Sequence, residues 1–248
     1  MKTVQNHTDF VEKRNGKLIV IEGPDASGKA TQTSLLVEWL RDQGFSELSK
    51  EQEKEFLGKM PGKYPGDEDS LEQGVWKLSF PTYGQTPGGR VVQAYLDGRL
   101  GERDELEIMD IVDMYAADRK QFKQVIKEFL EAGGILVCDR YREANLIHQL
   151  VGFEDEKWHK MFSEIKAVDR DLPDSDKVFY LDISPHKAIK RMEEKDKDIH
   201  ELDTDYMKES NRNGRKVAEK ENWDVIDAEQ SIEEVHLDIK NNIRKNLL

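Results

Sequence analysis

The segment at residues 17–31, K-L-I-V-I-E-G-P-D-A-S-G-K-A-T, constrains the fold of this chain more than any other part of its sequence. It begins with a short continuous apolar run, which is typical of a central parallel strand buried on both faces. The motif G-x-x-x-x-G-K follows at residues 23–29, and a helical pattern begins directly after it. A strand, a glycine-rich loop and a helix in this order predict a phosphate-binding loop.

The residue types of this loop explain how it would bind phosphate. Gly23 and Gly28 allow backbone torsions that other residues resist, so that successive N–H groups can converge on phosphate oxygens. The amino end of the following helix adds partial positive charge, and Lys29 adds a full charge for the outer phosphates. The next position is Ala30, where this motif usually has a serine or threonine for Mg²⁺. Either Thr31 or water serves the metal, or the loop has lost that function.

Apolar strands alternate with helical patterns along the rest of the chain, which is typical of an α/β fold with right-handed crossovers. We therefore predict a five-stranded parallel sheet flanked by helices on both faces. Its strands are expected at residues 18–22, 75–80, 135–138, 177–181 and 223–226. Helices are expected after the phosphate loop, at 51–57, 90–97 and 105–130, from 143, and at 155–167, 185–192, 203–221 and 231–243, the last with an S-x-x-E capping box.

Two stretches interrupt this alternation. Residues 1–16 are polar and weakly patterned, and we expect a flexible leader before a single domain at 17–248. Residues 45–74 are dense in Glu, Asp and Lys and contain P-G-K-Y-P-G. Such a composition favours a solvated insertion, and it leaves open a regulatory or oligomer-contacting role.

The composition of the chain restricts its partners and its compartment. Its 248 residues suffice for one α/β domain with an insertion. A formal net charge of −13 argues against non-specific binding to nucleic acid or to a membrane surface. The single cysteine, Cys138, lies in an apolar run, and no apolar stretch reaches membrane-spanning length. We therefore expect a cytoplasmic protein with a reduced core thiol and with neither nucleic acid nor membrane as a partner.

Two dipeptides follow predicted strands, at the edge where open α/β sheets form their ligand crevice. Asp139-Arg140 offers a planar guanidinium fork for phosphate, and a carboxylate that can orient the fork or serve a metal. In isolation such a pair is more often a surface ion pair, but its position after a buried strand favours a functional role. The second dipeptide is Phe80-Pro81, and the ring of Phe80 could form one wall of a base pocket by stacking on the base. A core position is the simpler interpretation of Phe80.

Two groups of side chains on predicted helices could also meet a nucleotide. Tyr115 and Arg119 share a helix face, so that a ring and a guanidinium could stack on a base and bind its edge. A plain contact on the helix surface is the alternative. Arg191, Lys195 and Lys197 form a basic cluster that could close over phosphates as a mobile lid at about residues 193–202. Acidic neighbours make a solvated charge run an equally good interpretation of this cluster.

Taken together, these segments resemble the thymidylate kinase family from about residue 17 to the end of the chain, apart from the insertion. The segments that carry the resemblance are I-E-G-P-D-A-S-G-K-A-T-Q at 21–32, F-P-T-Y-G-Q at 80–85, A-A-D-R at 116–119, C-D-R-Y-R-E-A-N at 138–145, A-I-K-R at 188–191 and W-D-V-I-D-A-E-Q-S-I-E-E-V at 223–235. Many enzymes share the phosphate loop, whereas its combination with F-P and D-R-Y at these distances is far more specific.

The resemblance implies a homodimeric cytoplasmic kinase that uses Mg²⁺ to transfer the γ-phosphate of ATP to dTMP, giving dTDP for dTTP biosynthesis. It implies ATP contacts from Gly23, Pro24, Asp25, Ala26, Ser27, Gly28, Lys29, Ala30, Thr31 and Arg191. It implies dTMP contacts from Asp25, Phe80, Tyr83, Tyr115, Arg119, Arg140, Asn145 and His148. The implied catalytic residues are Lys29, Asp139, Arg140, Lys195 and Lys197, with Asp139 also the candidate metal ligand.

The family pattern also implies individual roles. Asp25 should meet the 3′-hydroxyl of dTMP, Tyr115 should stack on thymine, and Arg119 should read the edge of the base. Arg140 should bind the acceptor phosphate and stabilise the transferring group, with Tyr83 near the same phosphate. Such a list contains mainly positioning and charged groups, because phosphoryl transfer requires little covalent chemistry from the protein.

The chain departs from the family pattern at two further site positions. Some members have a catalytic arginine where this chain has Ala26, so that Lys195 and Lys197 are expected to supply the charge from the lid. Asn145, by contrast, fits the pattern, at a place where a polar side chain should contact base or sugar. His148 occupies a place where an aromatic often guards the deoxyribose, which leaves the selection against ribonucleotides open.

Two alternatives to a dTMP kinase remain at this point. One is a kinase for another deoxynucleoside monophosphate. The other is a non-catalytic nucleotide-binding homologue, in which Ala30 and the insertion would serve a partner-regulated switch. The resemblance implies no role for the insertion at residues 45–74.

Overall fold

The computed structural model describes residues 16–47, 74–101, 103–195 and 204–246. Most of the predicted leader, the predicted helix at 51–57 and most of the insertion at 45–74 lie outside these residues. The same is true of most of the predicted lid, including Lys197, and of the side chain of Lys195.

The described strands form one parallel sheet of six strands. The strands are β1 (Lys17–Glu22), β2 (Ser46–Glu47), β3 (Gly74–Ser79), β4 (Ile135–Asp139), β5 (Lys177–Asp182) and β6 (Asp224–Asp227). Their order across the sheet is β2-β3-β4-β1-β5-β6, with β1 near the centre as its apolar run predicts. The predicted parallel sheet is therefore confirmed, with one more strand than expected. The additional strand, β2, has two exposed residues at the sheet edge, too few to give an apolar pattern.

Helices connect these strands. They are α1 (Lys29–Asp42), α2 (Pro87–Leu96), α3 (Ile108–Lys120), α4 (Lys123–Glu131), α5 (Glu143–His148), α6 (Asp155–Val168), α7 (Pro185–Lys195), α8 (Thr204–Lys220) and α9 (Ile232–Asn246). The predicted capping box precedes α9, because the Glu234 amide donates to Ser231 Oγ and the Ser231 amide donates back to Glu234 Oε2. In the described ranges, none of the helices combines the length and the apolar character that crossing a membrane requires.

Both faces of the sheet are covered by helices, because alternate residues of each strand point to opposite faces. From β1, Ile19 and Ile21 join a core with apolar residues of α1 and α9. Leu18 and Val20 join a second core, which contains Phe122 and the apolar face of α4. Burial on both faces explains why the central strand reads as a continuous apolar run rather than as an alternating one.

The single long helix predicted at residues 105–130 is wrong, because α3 and α4 are separate helices. At the break, Gln121 Nε2 donates to the carbonyl oxygen of Asp118 at 2.9 Å. The amide of Phe122 instead donates to the carbonyl oxygen of Arg119 at 2.9 Å, which tightens the turn. The ring of Phe122 is buried in the second core. Side-chain contacts made at the break, and not a local helix breaker, therefore end α3.

Candidate active site

Three of the predicted motifs meet at the carboxyl edge of the sheet. Strand β4 lies between β3 and β1, with Asp139 in register with both Ser79 and Ile21. The phosphate loop, the turn after Phe80 and the turn at Arg140 therefore leave the sheet side by side. The amide of Arg140 donates to the carbonyl oxygen of Ile21 at 3.1 Å, which joins the turn directly to β1. This is the edge at which open α/β sheets form their ligand crevice.

The phosphate loop has the backbone geometry that its sequence predicts. Gly23 and Gly28 have φ angles of 148° and 96°, and Ala26 between them has 57°. A side chain at position 23 would meet the carbonyl oxygen of Leu181 at 2.6 Å, so this position also needs glycine for space. The buried Lys29 Nζ donates to the carbonyl oxygens of Gly23 and Pro24 at 2.8 and 2.6 Å. The loop thus wraps around its own lysine.

Arg191 of α7 lies against this loop. Its Nη1 donates to the carbonyl oxygen of Ala26 at 3.2 Å, and its Nη2 donates to that of Ala228 at 2.8 Å. The guanidinium therefore joins the phosphate loop to the segment after β6. Helix α7 continues to Lys195, one turn beyond Arg191 on the same face.

Asp25 connects the phosphate loop to the turn after β4. Its Oδ1 lies 2.5 Å from Arg140 Nη2 and 3.9 Å from Lys29 Nζ. Burial alone would raise the pKa of Asp25, but the charges of Arg140 and Lys29 outweigh burial and lower that pKa. Arg140 has a φ angle of 62°, an uncommon backbone conformation for a residue other than glycine. Two cations from different motifs thus share one carboxylate in a single crevice.

A buried carboxyl group lies beneath this ion pair. Glu22 Oε1 accepts a hydrogen bond from the Tyr141 amide at 3.1 Å, which ties the end of β1 to the turn after β4. Burial raises the pKa of Glu22 to about 8, against the lowering effect of Arg140. Burial and the charge of Arg140 also lower the pKa of Lys29 to about 8.

Glu22→Gln is expected to flatten the pH dependence of stability between about pH 4.5 and 8. The folded protein holds a proton here that the unfolded chain releases near pH 4.5, the ordinary pKa of a glutamate side chain. The stability from this proton is therefore fully present below pH 4.5 and is lost as the pH rises to about 8. Glutamine does not titrate and therefore lacks this loss of stability. The difference in free energy of unfolding, variant minus wild type, should increase by roughly 2–4 kcal/mol as the pH rises from about 4.5 to 8. Urea unfolding at pH 5, 6.5 and 8 measures this difference, and parallel profiles would contradict the expectation.

Asp139 has an oxygen that suits a magnesium ion. Its Oδ1 is buried and has no hydrogen-bond partner among the described residues, although it lies at the end of β4 beside the phosphate loop. No cluster of three or more His, Cys, Asp or Glu side chains in the described ranges is placed to hold a metal. Mg²⁺ commonly takes one or two carboxylates and completes its shell with substrate phosphates and water. The residues present therefore fit Mg²⁺ bound together with a nucleotide.

A cavity of about 350 Å³ opens beside Arg140. It is lined by Asp25, Phe80, Pro81, Tyr83, Tyr95, Leu96, Arg103, Tyr115, Arg119, Arg140, Tyr141, Ala144, Asn145, His148, Gln149 and Tyr206. All eight residues that the resemblance assigns to the acceptor nucleotide are in this lining. The structure thus brings together side chains from the phosphate loop, from the turns after β3 and β4, and from α3, α5 and α8.

Aromatic rings form much of the cavity wall. Tyr115 of α3 lies edge-on to Tyr95 of α2, with ring centroids 6.3 Å apart. Phe80 is nearly fully buried, and its ring lies edge-on to Phe122 at 5.3 Å. Phe80 therefore serves both the core and the cavity, which combines the two interpretations of this residue. Burial raises the pKa of Tyr115, so that its hydroxyl stays neutral at physiological pH.

A fully buried carboxylate holds the loop after β3 onto α3. Asp118 Oδ2 accepts from the Thr82 amide at 2.7 Å, and Asp118 Oδ1 accepts from the Thr82 hydroxyl at 2.6 Å. Thr86 and Gln121 donate to the same Oδ1 at 3.1 and 2.8 Å. A side chain at Gly88 would meet the Asp118 Cα at 2.5 Å. The loop that carries Tyr83 and the helix that carries Tyr115 are therefore fastened together behind the cavity wall.

A polar cluster closes the other side of the cavity. His148 Nδ1 lies 3.3 Å from both Tyr206 Oη and Ser210 Oγ, which joins α5 to α8. The guanidinium of Arg103 lies over the Tyr206 ring and donates to the His148 carbonyl and to Gln149 Oε1. Burial, together with the charge of Arg140, lowers the pKa of His148 to about 3, so its imidazole is neutral. Asn145, one turn earlier, donates through Nδ2 to the Val112 carbonyl at 3.3 Å.

Besides Pro81, Tyr141 and Ala144, which lie within the motifs, the lining contains five residues that the sequence did not single out: Tyr95, Leu96, Arg103, Gln149 and Tyr206. Tyr95 lies within the predicted short helix, and its spacing gave no reason to separate it from other half-buried aromatics. Arg103 and Tyr206 belong to stretches without strand or motif signals. Their positions depend on contacts between distant parts of the chain, and a local pattern does not record such contacts.

Comparisons with known proteins agree with the resemblance. A sequence profile described as thymidylate kinase matches residues 68–239. The thymidylate kinase of Plasmodium falciparum is 27% identical over 234 residues, which are 94% of this chain and 92% of that protein. A probable thymidylate kinase of Methanocaldococcus jannaschii is 30% identical over 224 residues, covering 89% of this chain and 92% of that one. The match to the Plasmodium protein covers so much of this chain that it includes the phosphate loop, which the profile does not reach.

A solved structure agrees on the fold. A thymidylate kinase from Candida albicans, reported in connection with broad substrate specificity and a novel structural element, superposes with a TM-score of 0.65. It is 20% identical to this chain, and the match covers 94% of this chain and 92% of that structure.

Proposed function

Since this chain belongs to the thymidylate kinase family, it is an ATP-dependent kinase that phosphorylates dTMP to dTDP, and we propose that it does so in the crevice between the phosphate loop and the cavity beside Arg140. The observation that carries this placement is the position of Asp25. Its carboxylate lies 2.5 Å from Arg140 and 3.9 Å from Lys29, so the two cations lie within one phosphate-sized space.

The donor side of this proposal is the phosphate loop. Its amides and Lys29 would hold the ATP phosphates at the amino end of α1, where the helix adds partial positive charge. The guanidinium of Arg191 lies against the loop at Ala26. We propose that it lies beside the adenine of ATP, as the family resemblance implies. Gly23, Pro24, Ser27, Gly28, Ala30 and Thr31 complete the proposed donor contacts.

The acceptor side is the cavity. Arg140 would bind the phosphate of dTMP through its planar guanidinium, with Tyr83 nearby. Asp25 would accept a hydrogen bond from the 3′-hydroxyl. Tyr115 would stack on the base, while Arg119 and Asn145 would bind its polar edge. The protein's own contribution to the reaction is then to align the acceptor oxygen with the γ-phosphorus and to stabilise the charge that the transferring group carries.

We propose that Mg²⁺ is required and that Asp139 is its protein contact, directly or through water. When bound, the ion would neutralise charge on the ATP phosphates. The buried unpartnered Oδ1 of Asp139 supports this assignment. Ala30 has no hydroxyl, and Thr31 is exposed, so substrate oxygens and water are expected to fill most of the shell.

Neutralising the lid lysines is expected to slow the enzyme. Because Ala26 supplies no charge inside the loop, we propose that Lys195 and Lys197 do so, and we expect Lys195→Ala/Lys197→Ala to lower kcat by more than about tenfold. Lys195 follows Arg191 by one helical turn, which supports its approach to the donor phosphates. Steady-state kinetics with saturating ATP and dTMP measures the effect. Lys190→Ala, an exposed lysine of α7, is the control, and an unchanged rate in the double variant would refute the proposal.

A substrate panel tests the function itself. A coupled assay of ADP release with dTMP, dUMP, dGMP and ribothymidine monophosphate should give the highest kcat/KM with dTMP. Faster turnover of another deoxynucleotide would favour the kinase alternative. Tight ATP binding without ADP release from any acceptor would favour a non-catalytic homologue. The ribonucleotide also tests whether the cluster around His148 excludes a 2′-hydroxyl.

We further propose a cytoplasmic homodimer built from one kinase domain at 17–248, with a leader at 1–16, an insertion at about 45–74 and a lid at about 193–202. The single buried thiol of Cys138 supports a reducing compartment. The net charge of −13 supports the absence of nucleic-acid or membrane-surface partners. Sedimentation analysis would test the proposed dimer.

A further inference from the structure

A buried ion pair lies behind the base end of the cavity. Arg119 Nη2 donates to Asp169 Oδ2 at 2.6 Å, and the two side chains are only 2% and 3% exposed. Arg119 belongs to α3 and lines the cavity. Asp169 directly follows α6, 50 residues further along the chain, and is not part of the lining. None of the roles assigned so far uses Asp169.

This pair differs from a surface ion pair that the same stretch of chain makes. Asp171, two residues later, pairs with Lys123 at 2.9 Å, and both side chains are 44% exposed. Removing two charges from water costs more than an isolated contact returns unless every donor and acceptor is satisfied. In the described part of the chain, Arg119 Nε and Asp169 Oδ1 are buried without a hydrogen-bond partner. Stability alone therefore does not account for placing this pair here.

The pair does fix the orientation of Arg119. A guanidinium is a rigid planar fork with five N–H donors and no acceptor. A short bond to a buried carboxylate on one side of the fork sets its plane and restricts rotation of the side chain. The remaining donors are then held in one arrangement at the cavity wall. A guanidinium held in this way can donate to a base carbonyl, but it has no acceptor to offer a base amino group.

We infer that Asp169 is a positioning residue that sets the guanidinium of Arg119 and thereby gives the acceptor site its preference for a 4-oxo pyrimidine over a 4-amino pyrimidine. This inference rests on the proposed function, because it takes the cavity to be the site of the acceptor base. Without its partner, Arg119 would remain next to the cavity but would no longer be held in one orientation.

Kinetics of Asp169→Asn provides the test. The variant should raise KM for dTMP about tenfold or more and lower the ratio of kcat/KM for dTMP to that for dCMP by a similar factor. KM for ATP should stay within about twofold, because the phosphate loop does not contact this pair. Asp169→Glu should restore part of the ratio. Asp171→Asn is the matched control and should leave every one of these constants unchanged.

A double variant separates positioning from folding. If Asp169→Asn lowers Tm too far for assay, Arg119→Gln/Asp169→Asn removes both charges and is compared with Arg119→Gln alone. Because Asp169 acts through Arg119, the double variant should match the single one in KM for dTMP and in the dTMP-to-dCMP ratio. A further loss in the double variant, or a folded Asp169→Asn with wild-type KM and ratio, would overturn the inference. Lack of dTMP turnover in the wild-type protein would instead overturn the placement of the acceptor site.

Discussion

Arg140→Ala is expected to lower kcat by about 10³-fold or more while leaving the fold intact. The guanidinium pairs with Asp25 and lines the acceptor cavity, at the carboxyl end of β4. No other proposed acceptor contact offers two parallel donors at this point, and water cannot replace a preorganised cation. Asp25 would lose its partner, but its side chain is 62% exposed and can be solvated. The loss should therefore appear in turnover and not in stability.

Two further variants define this result. Arg140→Lys keeps a charge but not the fork, and should recover only part of kcat. Arg142→Ala removes a guanidinium of almost equal exposure from the same turn, 19% against 20%. Because Arg142 pairs with Glu143 and Asp174 outside the cavity, its loss should lower Tm but change kcat less than about threefold. Equal kcat losses in the two alanine variants would show that the turn, and not Arg140, matters.

Lys29→Met is expected to lower kcat/KM for ATP by about 10³-fold without lowering stability. The buried ammonium lies inside the phosphate loop and is the loop's only charged donor to phosphate. Burial and the nearby Arg140 lower the pKa of Lys29 to about 8. Keeping this ammonium charged therefore costs the folded state free energy. Methionine fills the space of the stem without a charge, and Tm should stay equal or rise.

Kinetics and thermal unfolding of the same preparations check both halves of this expectation. Lys77→Met, in strand β3, is the control; its ammonium donates to Ser34 outside the cavity. This control should keep kcat/KM within about twofold. A Lys29→Met protein that loses Tm together with activity would mean that the ammonium holds the loop together more than it binds phosphate.

The sequence predicted those parts of the fold whose cause is local. The apolar run at 18–21 identified the central strand, and the spacing of Gly23 and Gly28 predicted a loop whose φ angles are indeed positive. The break before Phe122 could not be predicted, because it depends on Gln121 reaching Asp118 and on a ring entering the core between distant strands. The two-residue strand β2 pairs with β3 through backbone groups alone, and such pairing leaves no side-chain pattern.

The candidate site follows the same division. Residues in motifs, such as Arg140 and Tyr115, were proposed for the site because they follow a strand end or share a helix face. Asp118 and Asp169 were not, although each fixes a wall of the cavity through short hydrogen bonds. The sequence does not distinguish one carboxylate from the others in a chain with 51 acidic residues, and only its burial shows that it is a supporting residue. Supporting residues of this kind are defined by three-dimensional contacts between segments far apart in sequence.

The backbone hydrogen bond from Arg140 to Ile21 fixes the distance between the turn after β4 and the end of β1. The lysine that would hold the donor phosphate and the arginine that would hold the acceptor phosphate follow adjacent strands of one sheet, whose spacing is about 4.8 Å. Their separation is therefore set by backbone pairing and does not require two domains to approach one another. Evolution or design can remodel α2, α3 and α8 to admit a different base. The distance over which the phosphoryl group is transferred would stay the same, because the sheet sets it.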